Sequence, residues 1–148
     1  MLTSITRIFL PFIVLLLMVM SCGTSKKATR RNGELPERVV LTPAQLQLFN
    51  QLYHEAVIRL EREEYDAHVV LLERALEIDS TAAEALWLLA RMQYSMANRR
   101  DTVQRQKAVN NMQRATYYCP YDVDILEDLA TMLDYEERHE EALQCYER

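Results

Sequence analysis

The pair Leu52 and Ala56 recurs as Leu86 and Ala90 after 34 residues, and again as Leu126 and Ala130 after a further 40. This recurrence constrains the chain more than any other feature. A unit of about 34 residues holds one helix pair and cannot bury its apolar face alone, so neighbouring units must stack. The longer second step is the same period with an insertion of six, which falls around Ala97-Asn98-Arg99-Arg100-Asp101. With only 2 Gly and 4 Pro in 148 residues, the chain lacks the turn residues of a sandwich or barrel. Its body is rich in Ala, Leu, Glu, Gln, Arg and Met, which form helices readily. The expected fold class is all-α.

The helical reading can be followed residue by residue. Thr42-Pro43-Ala44-Gln45 has the form of a capping box with proline in the first turn. Leu48, Leu52, Ala56 and Leu60 then line one helical face. A second helix is expected from Tyr65-Asp66, carrying Val69, Leu72, Ala75, Leu76 and Ile78. Thr81-Ala82-Ala83-Glu84 reads as another capping box, opening a third helix with Leu86, Leu89, Ala90 and Met92.

These positions resemble the tetratricopeptide repeat (TPR) family. Repeat one carries Tyr65-Asp66, Leu72 and Ala75-Leu76-Glu77-Ile78-Asp79; repeat two carries Leu86, Leu89-Ala90, Ala108, Met112, Ala115 and Pro120. Repeat three carries Leu126, Leu129-Ala130, Leu133, Ala142 and Tyr146. The resemblance implies a right-handed α-solenoid of about two and three-quarter repeats, at about 49–82, 83–122 and 123–148. Small residues (Ala56, Ala75, Ala90, Ala108, Ala115, Ala130, Ala142) are expected where helices approach closely, with Leu52, Leu72, Leu86, Met112, Leu126 and Tyr146 filling the gaps. Two residues depart from the pattern: Glu55 stands where repeats two and three have leucine, and His68 where the family normally has alanine. Repeat one is therefore expected to be a distorted, capping copy. The third repeat is unfinished at Arg148, so a longer protein or an assembly subunit, self-associating through its open C-terminal repeat, is expected.

The N-terminus reads as an address. Arg7 precedes an apolar run from Ile8 to Met20, 13 residues long. That is too short for a membrane span of about 20 and right for a signal-peptide core of about 7–15. The sequence Val19-Met20-Ser21-Cys22 that follows resembles the bacterial lipobox. The resemblance implies a signal peptide at 1–21, cleavage before Cys22, and acylation of that cysteine, with 22–41 as a tether before repeats at 42–148. Two or three acyl chains hold a protein stably where one does not. Gly23, rather than Asp, after the cysteine implies the outer membrane, and the basic stretch Thr24 to Gly33 favours its periplasmic side. Those basic residues read first as a solvated linker, and as attracted to anionic headgroups only second.

Motifs that carry chemistry are absent from the sequence. It contains no HExxH, phosphate-cradling glycine loop or nucleophile elbow, and its 3 His are not at ligand spacing. No enzyme activity, cofactor or metal is expected. Cys119 and Cys145 read as free thiols rather than a disulfide. A net charge of −5 argues against nucleic-acid binding.

A protein-binding surface remains. In the resembled family, the concave face is lined by first-helix residues pointing away from the second helix. Carried over, these are Tyr53 and Val57, then Trp87, Arg91 and Tyr94, then Glu127, Thr131 and Asp134. Aromatic and Arg side chains suit such a surface, although Trp87 and Tyr94 read equally as packing between helices. Lysines and asparagines that would clamp a peptide carboxylate are missing there, replaced by Tyr53, Trp87 and Glu127. Charge is segregated: Arg91 to Arg114 holds six basic residues against Asp101, and Asp122 to Arg148 ten acidic against two basic. Solvation of exposed helices accounts for this better than partner steering does. Asp79-Ser80-Thr81 and Asp101-Thr102-Val103 resemble a bacterial O-glycan acceptor pattern at Ser80 and Thr102, in turns that helix capping explains equally. The functional expectation is a lipid-anchored scaffold binding other proteins at the cell envelope, in outer-membrane assembly or secretion. The alternative is an accessory repeat domain of a longer envelope enzyme.

Overall fold

The structure, a computed structural model, describes residues 36–148. The expected signal peptide, Cys22 and the basic stretch lie outside the described residues. Six α-helices form there: α1 (Pro43–Glu61), α2 (Tyr65–Ile78), α3 (Ala83–Met96), α4 (Thr102–Tyr118), α5 (Val123–Tyr135) and α6 (His139–Tyr146). No strand occurs among the described residues. Each helix packs chiefly on its neighbours in the chain, and α3 also touches α5. That pattern is an all-α helical-repeat solenoid.

Helix starts follow local chemistry. Thr42 Oγ1 accepts the Gln45 N–H at 3.3 Å while Gln45 Oε1 accepts the Thr42 N–H at 3.0 Å, the reciprocal box expected before α1. Asp101 accepts the Gln104 N–H at 3.0 Å, and Asp122 accepts that of Ile125 at 3.1 Å. The second expected capping box does not form. The cap of α3 is Ala82, without a side-chain hydrogen bond. Thr81 turns back instead: its hydroxyl donates to Asp79 Oδ1 at 2.6 Å and accepts the Val39 N–H at 3.1 Å. An ionised acceptor two residues away and a donor from the leading segment occupy the hydroxyl before the helix can.

The two short turns within repeats share a device. Residues 62–64 join α1 to α2 and 136–138 join α5 to α6, and in each a glutamate is left-handed: Glu63 at φ 60° and Glu137 at φ 61°. Glycine is the usual occupant of that region, so both glutamates carry local strain of about 1–2 kcal/mol. Repeat two avoids it with a five-residue loop, 97–101. The insertion is spread rather than confined to that loop. Measured from the Leu52/Leu86 position, α3 runs one residue further than α1, the loop is two longer, and α4 has 17 residues against 14 in α2.

The alanines sit where close approach demands. Ala56, Ala75, Ala90, Ala108, Ala115 and Ala130 are 0% exposed and Ala142 1%. Leu72, Leu86 and Met112 fill the intervening space at 0% exposure. Tyr146, expected to do the same in α6, is instead 57% exposed, because nothing among the described residues packs on that side of α6. Leu52 is half-buried, in keeping with a terminal repeat. His68, in its alanine slot, is fully buried with Nδ1 2.8 Å from the Ala56 carbonyl, so Nδ1 carries the proton. The Glu55 carboxylate, in its leucine slot, accepts from Arg59 Nε at 2.7 Å.

Candidate protein-binding groove

The first helices of the repeats, α1, α3 and α5, present a groove of about 660 Å³. Phe49 and Tyr53 stack at 6.0 Å with rings 12° apart on α1, and His54 meets Tyr53 edge-on. Trp87 and Glu84 come from α3 and Asp124 from α5, while Arg38 reaches in from the leading segment. Burial pushes the Tyr53 hydroxyl well above the usual tyrosine range, and its hydrogen bond to the Glu84 carboxylate adds to the effect. The Arg38 guanidinium donates to the Tyr118 carbonyl at 3.0 Å and lies 3.4 Å from Cys119 Sγ.

Further along, aromatic and charged groups join repeats two and three. Trp87 Nε1 donates to Asp128 Oδ2 at 2.6 Å, and Arg91 Nε lies 3.3 Å from the same oxygen. The Arg91 guanidinium also covers the Trp87 ring at 5.0 Å, a cation–π contact. Tyr94 donates to Glu136 Oε1 at 2.8 Å, and Arg105 Nε donates to the same atom at 2.6 Å. Burial, followed by Glu136, pushes the Tyr94 hydroxyl up to about 12. The segregated charge of the sequence therefore meets across the repeat boundary, basic residues of repeat two pairing with acids of repeat three. Lys107 does likewise with Glu73 of repeat one, at 3.0 Å.

The structure divides the eight residues expected on the concave face. Tyr53 and Trp87 line the groove. Arg91 is exposed beside Trp87, but held by Asp128. Tyr94 is half-buried in the Arg105–Glu136 cluster, beside a separate cleft of about 360 Å³. Val57 is half-buried, while Glu127, Thr131 and Asp134 stand exposed on α5, Asp134 3.0 Å from His139. Sequence reasoning missed Asn50, Glu84 and Asp124. A signal was there, because these three repeat at the 34- and 40-residue steps already used for Leu52. His54 and Asp128 share another such register. Arg38 had no signal at all.

Cys119 and Cys145 are free thiols, and burial pushes Cys145 up. Ser80 and Thr102 are both exposed in or beside turns. No group of three potential metal ligands occurs among the described residues. No helix among them is long and apolar enough to cross a membrane.

Comparison with solved structures agrees on the fold class, a TPR-type helical-repeat solenoid. Among the similar structures are several of MamA, a TPR-like all-helical protein. A crystal structure of MamA superposes with a TM-score of 0.59 at 20% identity, covering 67% of this chain and 54% of that one. The RS-1 double mutant of MamA gives 0.56 at 21% identity, covering 66% and 52%. The AMB-1 protein gives 0.57 at 17%, covering 67% and 51%. The chain thus spans about half the length of these MamA chains. No protein-family model matches the sequence, and no curated protein does.

Proposed function

We propose that this protein is a noncatalytic scaffold, held to the bacterial outer membrane through acylated Cys22, that binds other proteins on its concave face. The observation that carries the reading is the groove itself. Three first helices bring stacked aromatic rings, an indole and carboxylates to one concavity of about 660 Å³. Rigid helices hold these groups in place, so little order is lost when a partner docks. The anchor rests on the apolar run ending in Val19-Met20-Ser21-Cys22, and the periplasmic side on Gly23 and the basic stretch after it. A role in outer-membrane assembly or secretion follows from analogy with repeat lipoproteins of this layout. Self-association has a candidate surface in the exposed Leu143 and Tyr146 of α6.

Site-specific photocrosslinking in cells tests the scaffold. A photoreactive residue at Thr131, exposed on α5, is expected to capture a discrete set of proteins that the same residue at Val103 on α4 does not. Identical capture from both positions refutes a concave binding face. Labelling with an alkyne-tagged fatty acid tests the anchor separately: incorporation is expected and should vanish in Cys22→Ser.

A further inference from the structure

We propose that the groove between α1, α3 and α5 binds an extended peptide through arginine side chains, in the manner in which the protein already seats its own Arg38. The inference rests on the scaffold reading and names the chemistry of its partner.

Charge comes first. Among the described residues, four carboxylates line the groove, those of Asp79, Glu84, Asp122 and Asp124, against the one guanidinium of Arg38. Asp79 and Asp122 hold Thr81 and the start of α5. Glu84 and Asp124 stand exposed in the first turns of α3 and α5, where the nearby helix N-termini favour negative charge. An acidic peptide would meet net repulsion, and an apolar one would strip water from Asp124, and from the part of Glu84 that Tyr53 does not bond, without replacing it. A guanidinium satisfies them with paired hydrogen bonds.

The walls point the same way. The Phe49 and Tyr53 rings and the Trp87 indole line the groove, and aromatic rings attract cations. Arg91 over the Trp87 ring at 5.0 Å is an instance, within the protein, of a guanidinium against an aromatic side chain.

Arg38 supplies the mode. Residues 36–41 are in no helix or strand. The Val39 N–H is bonded to Thr81 in the turn between repeats one and two, while Arg38 reaches the Tyr118 carbonyl beside the turn between repeats two and three. A segment outside any helix thus fastens to one turn while its arginine reaches the next. The peptide continues this arrangement past Arg38, placing its own arginines on Glu84 and Asp124.

The test uses the full-length chain in detergent and three fluorescent eight-residue peptides, in which Ala alternates with Arg, Gln or Glu. Fluorescence anisotropy is read at low and at physiological salt. The Arg peptide is expected to bind at least tenfold more tightly than the Gln peptide, with affinity falling as salt rises, and the Glu peptide not to bind. Combined Glu84→Gln and Asp124→Asn should cost at least tenfold, with the circular dichroism spectrum unchanged. The pair Glu63→Gln and Glu140→Gln, outside the groove, should cost less than twofold. Equal binding of the Arg and Gln peptides overturns the proposal, as does an equal loss in the two double variants. Either result leaves the Thr131 crosslinking free to succeed, so failure here is separable from failure of the scaffold reading.

Discussion

Truncating Leu86 to alanine should destabilise the protein far more than the same change at Leu52, although the two hold one position of the repeat. Leu86 is 0% exposed and lies in a cluster with Ala90, Met112, Leu126 and Ala130, with a repeat on either side. Its removal forfeits the transfer energy of the side chain and leaves a cavity that stacked helices on both sides cannot close. Fully buried Leu→Ala changes cost about 2–5 kcal/mol, and this site belongs at about 4. Leu52 is half-buried in the outermost helix, where solvent and neighbouring side chains can fill the gap, so about 1–2 kcal/mol is expected. Against a total stability of about 5–15 kcal/mol, the difference is readily measured. The assay is urea unfolding of the full-length chain, followed by circular dichroism and by the fluorescence of Trp87, its only tryptophan. For Leu86→Ala both signals should shift together. For Leu52→Ala, circular dichroism should shift more than Trp87 fluorescence, since repeat one can fray without α3. Equal losses at the two positions, or a larger one at Leu52, would refute the argument that stacking on both sides sets the cost.

Two further outcomes follow from the cross-repeat contacts. Asp128→Ala removes the acceptor shared by Trp87 and Arg91; because the groups are partly exposed, about 1 kcal/mol is expected, with a shift in Trp87 emission. No change in either would show that the contact is not formed in solution. Tyr94 is raised to about 12 against about 10 for an unfolded tyrosine, so the folded state holds its proton more tightly. Its contribution is complete below pH of about 10 and is lost as pH rises towards about 12, so stability should fall across that window, and less steeply in Tyr94→Phe. Urea titrations at intervals across the window would check this; identical slopes would refute it.

Much of the architecture was determined by the sequence alone, because the apolar period is a property of the chain read in one dimension. Leu52, Leu86 and Leu126 with their partner alanines state where each helix faces, and Thr42-Pro43 states where the first one starts. Tyr53 and Trp87, carried over from the resembled family, line the groove, and Asn50, Glu84 and Asp124 share a register of their own in the same period. The tertiary structure decided what happens between repeats. That Asp128 takes Trp87 and Arg91, and that Glu136 takes Tyr94 and Arg105, depends on how far one helix pair is rotated and shifted on the next. The division of the six-residue insertion among α3, the loop and α4 depends on the same stacking. Thr81 was misread as a cap because its hydroxyl had other suitors, Asp79 and the distant Val39 N–H. Arg38 lies in a stretch without periodicity, and only the fold brings it 80 residues along the chain to Tyr118. Periodicity fixes which face of a helix is buried; which charges meet across two buried faces is set by the geometry of the stack.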